Sequence, residues 1–478
     1  MLSRSNESTR CLCASAFLSG SSFRQTVLKR LKEVRLGAAP ELGLDTKLVA
    51  QVCKFAERRA IYYAVGFTVL LLIFCFFVAV IAGAASDSND PTTALTGLYV
   101  FFVLVSGLVY FVKLYQEHYS LVRPFLRQSF DPVSVSKTYP PFFTAAADAA
   151  VSQVGQNLVV YRGFVPFVGA GIDFGGWSFA VSTIKASEDP VVKSPPKAFT
   201  ISELYAEIEG GLDSLGIDQL SGEDFYFVSG SDIRGDREIL PNEYGPPAQT
   251  IRPEMASTYK DTCDSRIRHY RWIRVEDWGG EIIMSMFLRC TLRGSNLFVE
   301  MKKFLLTPVS QKYRGVDKVG SPTFGTIAAW FIGSMVVGQF YCIYAFFFLL
   351  GRLSHKLSDL LGSEDRKIRH EIRNNPLFNY GVDKSLRDLF SSGEYHHYFQ
   401  KLDTDFYGKV LEREILDSIV DFLDEHHIDT SEIKERKSTI LNSGIIVQGG
   451  DIKAESLAVG TGAKAVKAIK KAAKGAEA

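Results

Sequence analysis

The chain has 478 residues, a formal net charge of +1 and 22% charged residues. That length holds two or three domains, and the balanced charge lacks the basic excess of a nucleic-acid binder. Mean hydropathy is +0.05, so most of the chain must face water while a few runs raise the average. The cysteines (Cys11, Cys13, Cys53, Cys75, Cys263, Cys290 and Cys342) are scattered and form no CxxC pair. This excludes a disulfide framework or a zinc-finger spacing and fits a reducing compartment.

No cleavable signal peptide is expected, because the first 20 residues carry two arginines and no continuous apolar core. Cys11-Leu12-Cys13 leaves two readings, a lipidated pair or a disordered start. Residues 23–36 have the spacing of a basic amphipathic helix, with Val27, Leu28, Leu31 and Val34 apolar. It either lies on an anionic leaflet or packs on a larger domain. Residues 1–59 are thus a basic amphipathic segment.

Residues 60–85 follow Arg58 and Arg59 and are apolar on every face. About 20 such residues span a bilayer as a helix. A second uncharged run lies between Asp90 and Lys113, so residues 60–115 read as a transmembrane helical hairpin. Lys47, Lys54, Arg58 and Arg59 precede it, and Lys113, Arg123 and Arg127 follow. The positive-inside bias puts both flanks in the cytoplasm. Residues 116–139 read as a charged stalk interrupted by Pro124 and Pro132.

Residues 140–322 read as an α+β domain. The clearest strands are 268–275, 281–292 and 297–306, joined by the turn-forming DWGG and RGSN. They predict an antiparallel β-meander. Short strands are expected at 158–161, 178–186 and 224–229, and a helix over 200–212 capped by Thr200 or Ser202 with Glu203 early. The third apolar run, 323–351, is a span or a re-entrant segment. Basic residues flank it on both sides, which favours a dip bent near Gly333 or Gly338-Gln339. Residues 352–438 are helical, and the run 409–427 keeps Leu411, Ile415, Ile419 and Phe422 on one face. Residues 439–460 carry a hairpin signal around Gly449-Gly450. Residues 461–478 are a Lys/Ala-rich tail.

Few residues point to chemistry. Gly169, Gly171 and Gly175, with Gly176, could let backbone amides approach a phosphate. The spacing is not that of a dinucleotide fingerprint, and a loop whose glycines permit tight turns is the default reading. His396-His397 and His426-His427 lack the i,i+4 spacing of a metal site. Asp403-Thr404-Asp405 lacks the rest of a calcium loop. No catalytic residue, metal ligand or cofactor is expected. No Asp, Glu, Lys, Arg or His lies inside the apolar runs, which argues against a coupled transporter.

The stretches GFVPFVGAGIDFGGW with Phe179, DIRGDREILP, RHYRWIRVEDWGGEIIMSMFL and residues 417–459 resemble a family of uncharacterised bacterial membrane proteins common in actinobacteria. The resemblance implies a multi-pass protein of the bacterial plasma membrane and carries no known activity. The chain therefore reads as a membrane-anchored, non-enzymatic sensor, scaffold or interaction module, with a role in envelope stress or defence. Its expected partners are the lipid bilayer and a protein or a second copy, with no nucleic acid. An oligomeric channel or membrane-permeabilising effector, and a nucleotide-using enzyme at the Gly169–Gly171 loop, are the alternatives.

Overall fold

The computed structural model describes residues 7–33, 35–84, 92–139, 156–186, 195–261, 266–360 and 362–442. Helix α1 (Glu7–Leu18) is buried along its length, with Cys11, Leu12 and Cys13 inside the protein. Cys11 and Cys13, at 1% and 0% exposed, offer no site for a lipid, and the described residues from Glu7 on are helical. The thiols act as small apolar side chains in a core shared with Val49, Val52, Phe125 and Phe390. Helix α2 (Gly20–Lys32) buries Phe23 and Val27 in the same core. Its Arg24 Nε donates to Glu57 Oε2 at 2.9 Å, so α2 packs on protein.

Helix α3 (Thr46–Ala84) leaves this core and runs on as an apolar rod, and α4 (Thr92–Tyr115) follows. Arg59 donates to Gln116, fixing the two helices together at one end. Past Tyr115 the chain makes a π-helical turn, Gln116–Ser120, and a 3-10 turn, Arg123–Phe125, that contains Pro124. Pro132 then opens α5 (Pro132–Thr138), where a missing N–H costs nothing, and Asp131 caps it.

A mixed six-stranded sheet forms the centre. It comprises β1 (Leu158–Tyr161), β2 (Ile172–Ser182), β3 (Leu220–Ser229), β4 (Ile267–Asp277), β5 (Ile282–Arg293) and β6 (Asn296–Leu306). The spatial order is β1-β3-β4-β5-β6-β2. The meander of β4, β5 and β6 is present, and β1 joins β3 in parallel at one edge. Strand β2 begins at Ile172 rather than at 178, and its register slips between Asp173 and Gly176. The bulge hides the strand from an alternation pattern. Helix α6 (Ile201–Ser214) starts on a capping box in which Thr200 and Glu203 satisfy each other's backbone N–H. Helix α7 (Pro253–Asp261) packs beside β4.

Period-2 alternation sends Ile273 and Val275 of β4 to one face and Tyr270 and Trp272 to the other. The chain after the third apolar helix covers both faces. That helix is α8 (Phe324–Leu360), followed by α9 (Ser363–Asn374), α10 (Leu386–Phe390), α11 (Tyr398–Glu425) and α12 (Ser431–Asn442). Leu411, Ile415 and Ile419 of α11 share a core with Met284, Met286 and Val299 of the sheet. Burying each is worth about 1.5–3 kcal/mol. Lys303 of β6 pairs with Glu412 of α11 at 2.7 Å. On the other face Val382 lies beside Phe227 and bridges Tyr161 at the β1 edge. Sequence before and after α8 therefore forms one folded body.

Helices α3, α4 and α8 are each long and apolar enough to cross a membrane. Their outer faces expose Leu72, Phe76, Phe101 and Phe347, as helices in lipid do. The expected bend in α8 is absent: the helix runs unbroken through Gly333 and Gly338. Gly338 serves close packing instead. A Cβ there would lie 2.5 Å from Ser106 O, and one at Gly107 would lie 2.8 Å from Met335 Cα. Small residues that let helix backbones touch are a common device in membranes. Residues 439–442 end α12 as helix. The hairpin signal around Gly449-Gly450 and the Lys/Ala-rich tail lie outside the described residues.

Candidate functional site

The glycine loop is built for close approach. Gly169 and Gly171 have φ of 89° and 95°, values that favour glycine. A Cβ on Gly169 would meet Pro40 O at 2.3 Å, and one on Gly171 would meet Leu305 O at 2.2 Å. The Gly169 N–H donates to Asp388 Oδ2 at 2.9 Å, so a carboxylate of the chain itself takes this amide. Gly175 instead donates to Asp173 Oδ1 at 2.8 Å, inside the β2 bulge. The glycines thus hold β2 and α10 against the sheet. A cavity of about 220 Å³ lies beside them, lined by Phe167, Gly171, Thr307, Asp388 and Ser391 among others.

Below the loop lies a buried polar hub that no local sequence pattern marks. Glu281, at the start of β5, accepts from Arg314 through Oε1 and from Gln400 Nε2 at 3.0 Å through Oε2. Its carbonyl takes Arg387 Nη2 at 3.0 Å. Arg314 also donates to His396 Nδ1 at 3.0 Å. That bond requires a lone pair on Nδ1. Burial, with the Arg314 charge beside it, holds the imidazole below its usual pKa. Arg387 is fully buried, and burial draws its guanidinium down to about 10. Glu41 accepts the Leu386 and Arg387 N–H groups at the start of α10, and burial pushes its carboxyl up to about 7. The hub ties α1, β5 and α11 together.

Glu7, Cys11 and Asp317 bring potential metal-ligand atoms within 4.8 Å of one another. Arg10 already supplies the positive charge there. Its Nη2 donates to Asp317 Oδ1 at 2.6 Å, to Glu7 Oε1 at 2.5 Å and to Cys11 Sγ at 3.6 Å. Burial pushes the Cys11 thiol up to about 12, which opposes the thiolate a metal would need. His396 and His397 belong to the hub and to the start of α11, where His397 stacks on Trp278. His426 stacks on Phe422. Asp403 accepts the Trp278 Nε1 hydrogen at 2.9 Å.

A larger cavity, of about 390 Å³, opens at the β3–β4 edge on the sheet face opposite α6 and α11. It is lined by Pro40, Glu41, Leu42, Gln156, Asn157, Glu223, Asp224, Phe225, Trp272 and Arg274. Trp272 is 1% exposed and Gln156 9%. Trp272 Nε1 and Gln156 Oε1 are buried and have no hydrogen-bond partner among the described residues. The Gln156 amide is fixed in orientation, since Nε2 donates to Ala38 O at 2.9 Å and to Leu158 O at 3.2 Å. Arg274 pairs with Glu223 at 3.1 Å and lies over the Trp272 ring, 5.5 Å from its centroid. Sequence reasoning missed this site because its residues come from four distant stretches. The one trace was RHYRWIRV, where alternation puts Trp272 and Arg274 on one face.

A family model, the AbeC-like domain, matches residues 176–453. The chain belongs to the AbeC-like domain family. The AbeC-like stretch begins inside β2 and takes in β3 to β6, α8 and α11. The apolar helix is therefore part of the domain and not an appendage. Gly169, Gly171 and Gly175 fall before it; Glu223, Trp272 and Arg274 fall within. No curated protein and no solved structure matches the chain.

Proposed function

We propose that this AbeC-like chain is a membrane-held, non-enzymatic sensor or scaffold module at the inner face of the bacterial plasma membrane. The observation that carries the reading is the single body made from sequence on both sides of α8. A 37-residue helix is about 55 Å long, against a hydrocarbon core of about 30 Å. Ile372 is buried in the soluble core only twelve residues past Leu360, and α9 covers most of that distance at about 1.5 Å per residue. So short a polar link cannot return across a bilayer. On the near side Val316 is buried eight residues before Phe324. Both ends of α8 then belong on one face of the membrane.

Contacts along α8 support the same reading. Near its start Trp330 lies 5.8 Å from His118, and near its end Arg352 pairs with Glu57. His118 and Glu57 both belong to the end of the α3–α4 pair where Arg59 meets Gln116. Two contacts, one near each end of α8, thus fall at the same end of the pair, and the helix's own backbone bonds satisfy the requirement that lipid imposes. The bilayer and a protein partner or second copy are the expected companions. Against a nucleotide-using enzyme stands the Gly169 amide already bonded to Asp388. The reading is tested with a membrane-impermeant maleimide on intact cells, in a background lacking Cys75 and Cys263. Ser88→Cys is expected to label, and Lys312→Cys and Glu425→Cys to stay unlabelled until the cells are opened. Labelling of either of the last two from outside would overturn it.

A further inference from the structure

We propose that α8 is a wedge set in the inner leaflet, and that the partner of its exposed face is the lipid of that leaflet, whose packing it reads. The proposal rests on the placing of both ends of α8 on the inner face, and it deepens the sensor reading by naming what is sensed. An unbroken helix with both ends on one face does not cross. Its depth follows from what it touches. Near its middle, Gly338 lies against Ser106 and Gly107 of α4, seven and six residues before Lys113. At 1.5 Å per residue that is about 10 Å from the last charge of α4, inside one leaflet of about 15 Å. The end contacts are shallower. Trp330 meets His118 and Arg352 meets Glu57, both outside the uncharged runs of α3 and α4. The deepest reach is a hydrogen bond between two long side chains, which the Tyr99 hydroxyl donates to Gln339 Oε1 at 2.8 Å.

What α8 offers the lipid is one regular stripe. Ile332, Val336, Phe340, Ile343, Phe347 and Leu350 are exposed and recur at helical spacing on one face. On the opposite face Cys342 and Ala345 are buried with Ala64 and Phe67 of α3 and Phe102 of α4. No Asp, Glu, Lys, Arg or His lies from Phe324 to Gly351, so the stripe gives a protein partner no charge to pair. It continues the surface that Leu72, Phe76 and Phe101 turn to lipid. Areas then set the shape. Helices α3 and α4 cross both leaflets, and each takes about 80 Å² of either, for a helix about 10 Å wide. From Phe324 to Arg352 α8 is about 42 Å long and adds about 400 Å² to the inner leaflet alone. The inner-leaflet cross-section is thus about three times the outer. A helix lying in one leaflet responds to curvature and lipid packing. Arg352 passes a shift of α8 to the soluble body, because its partner Glu57 is also held by Arg24 of α2 at 2.9 Å.

The test uses the full chain in giant vesicles, labelled after reconstitution with a membrane-impermeant, lysine-reactive dye. No lysine lies between residues 60 and 112, so the dye reports molecules whose soluble body is outside. For these, α8 lies in the convex leaflet of a tube pulled outward. The protein is expected to be enriched on the tube about twofold or more over the parent vesicle. Phe340→Ala with Phe347→Ala thins the stripe and is expected to lower the enrichment by roughly a third or more. Phe76→Ala with Phe101→Ala, on the crossing helices, should leave it unchanged. Even distribution of the unaltered protein, or enrichment that the α8 pair leaves intact, would overturn the wedge. Spin-label depth separates the wedge from the reading beneath it, with Phe347→Cys and Phe76→Cys in the background lacking Cys75 and Cys263. A crossing α8 would carry Phe347, 17 residues past Trp330, as deep as Phe76, 17 residues past Arg59. The wedge keeps Phe347 in the inner leaflet. Phe347 at the depth of Phe76 would overturn both the wedge and the one-face reading. A shallow Phe347 without enrichment would overturn the wedge alone.

Discussion

Replacing Glu281 by alanine is expected to destabilise the folded body by about 3 kcal/mol. One carboxylate holds two partners: Arg314 on one oxygen and Gln400 on the other. Glu281 is 6% exposed and Arg314 8%, so water cannot replace what is lost. Removing one partner of a buried pair costs about 3–5 kcal/mol, because it leaves the other charge uncompensated. Asp317 and Glu7 still lie within 3.3 Å and 3.5 Å of the guanidinium, which places the effect at the low end. The melting temperature in detergent should fall by roughly 6–12 °C. Glu281→Gln keeps the shape but only one acceptor, setting its NH2 against either Arg314 or Gln400 Nε2, both donors, so it should cost nearly as much. A loss below about 1 kcal/mol for the alanine variant would mean that the hub is solvated and does not bind α1, β5 and α11 together.

Inside the membrane the largest effect is expected at Gly338. Its Cα faces the Ser106 carbonyl so closely that a methyl group would sit 2.5 Å from the oxygen. Gly338→Leu must push α8 away from α4 and lose the contact around Met335 and Gly107. Overpacking of this kind costs about 1–3 kcal/mol. Gly333 is the control, because a Cβ there meets nothing within 4 Å, so Gly333→Leu should be nearly neutral. Thermal unfolding of the two variants in the same detergent checks this. Equal effects at the two glycines would contradict the α4–α8 contact.

The elements that local chemistry dictates were legible in the sequence. Arginines bounding an apolar run mark α3, Thr200 with Glu203 marks the start of α6, and turn residues between β-rich runs mark the meander. What depended on distant partners was not. Arg10 gives no local sign that Asp317 and the Phe125 carbonyl await it. Cys11 and Cys13 leave a lipidated pair and a disordered start both open until the burial of α1 is known. The glycines of α8 read as a bend because glycine weakens an isolated helix; here the packing against α4 gives them a different use. The cavity shares this difficulty. Glu41, Gln156, Glu223 and Trp272 meet only after the sheet has formed and the N-terminal segment has been laid against its edge.

The central claim is that the sheet and the helices after α8 are one body on one face of the membrane. Lys303 Nζ and Glu412 Oε1 are 2.7 Å apart, one before the apolar helix and one after it. The direct measurement is a cross-link between Lys303→Cys and Glu412→Cys in native membranes, with a short bis-maleimide in the background lacking Cys75 and Cys263. The expected product is an intramolecularly linked monomer, formed at high yield and migrating faster on denaturing gels. Failure of the pair to link, while each single cysteine reacts with the reagent, would place the two halves apart and contradict the account.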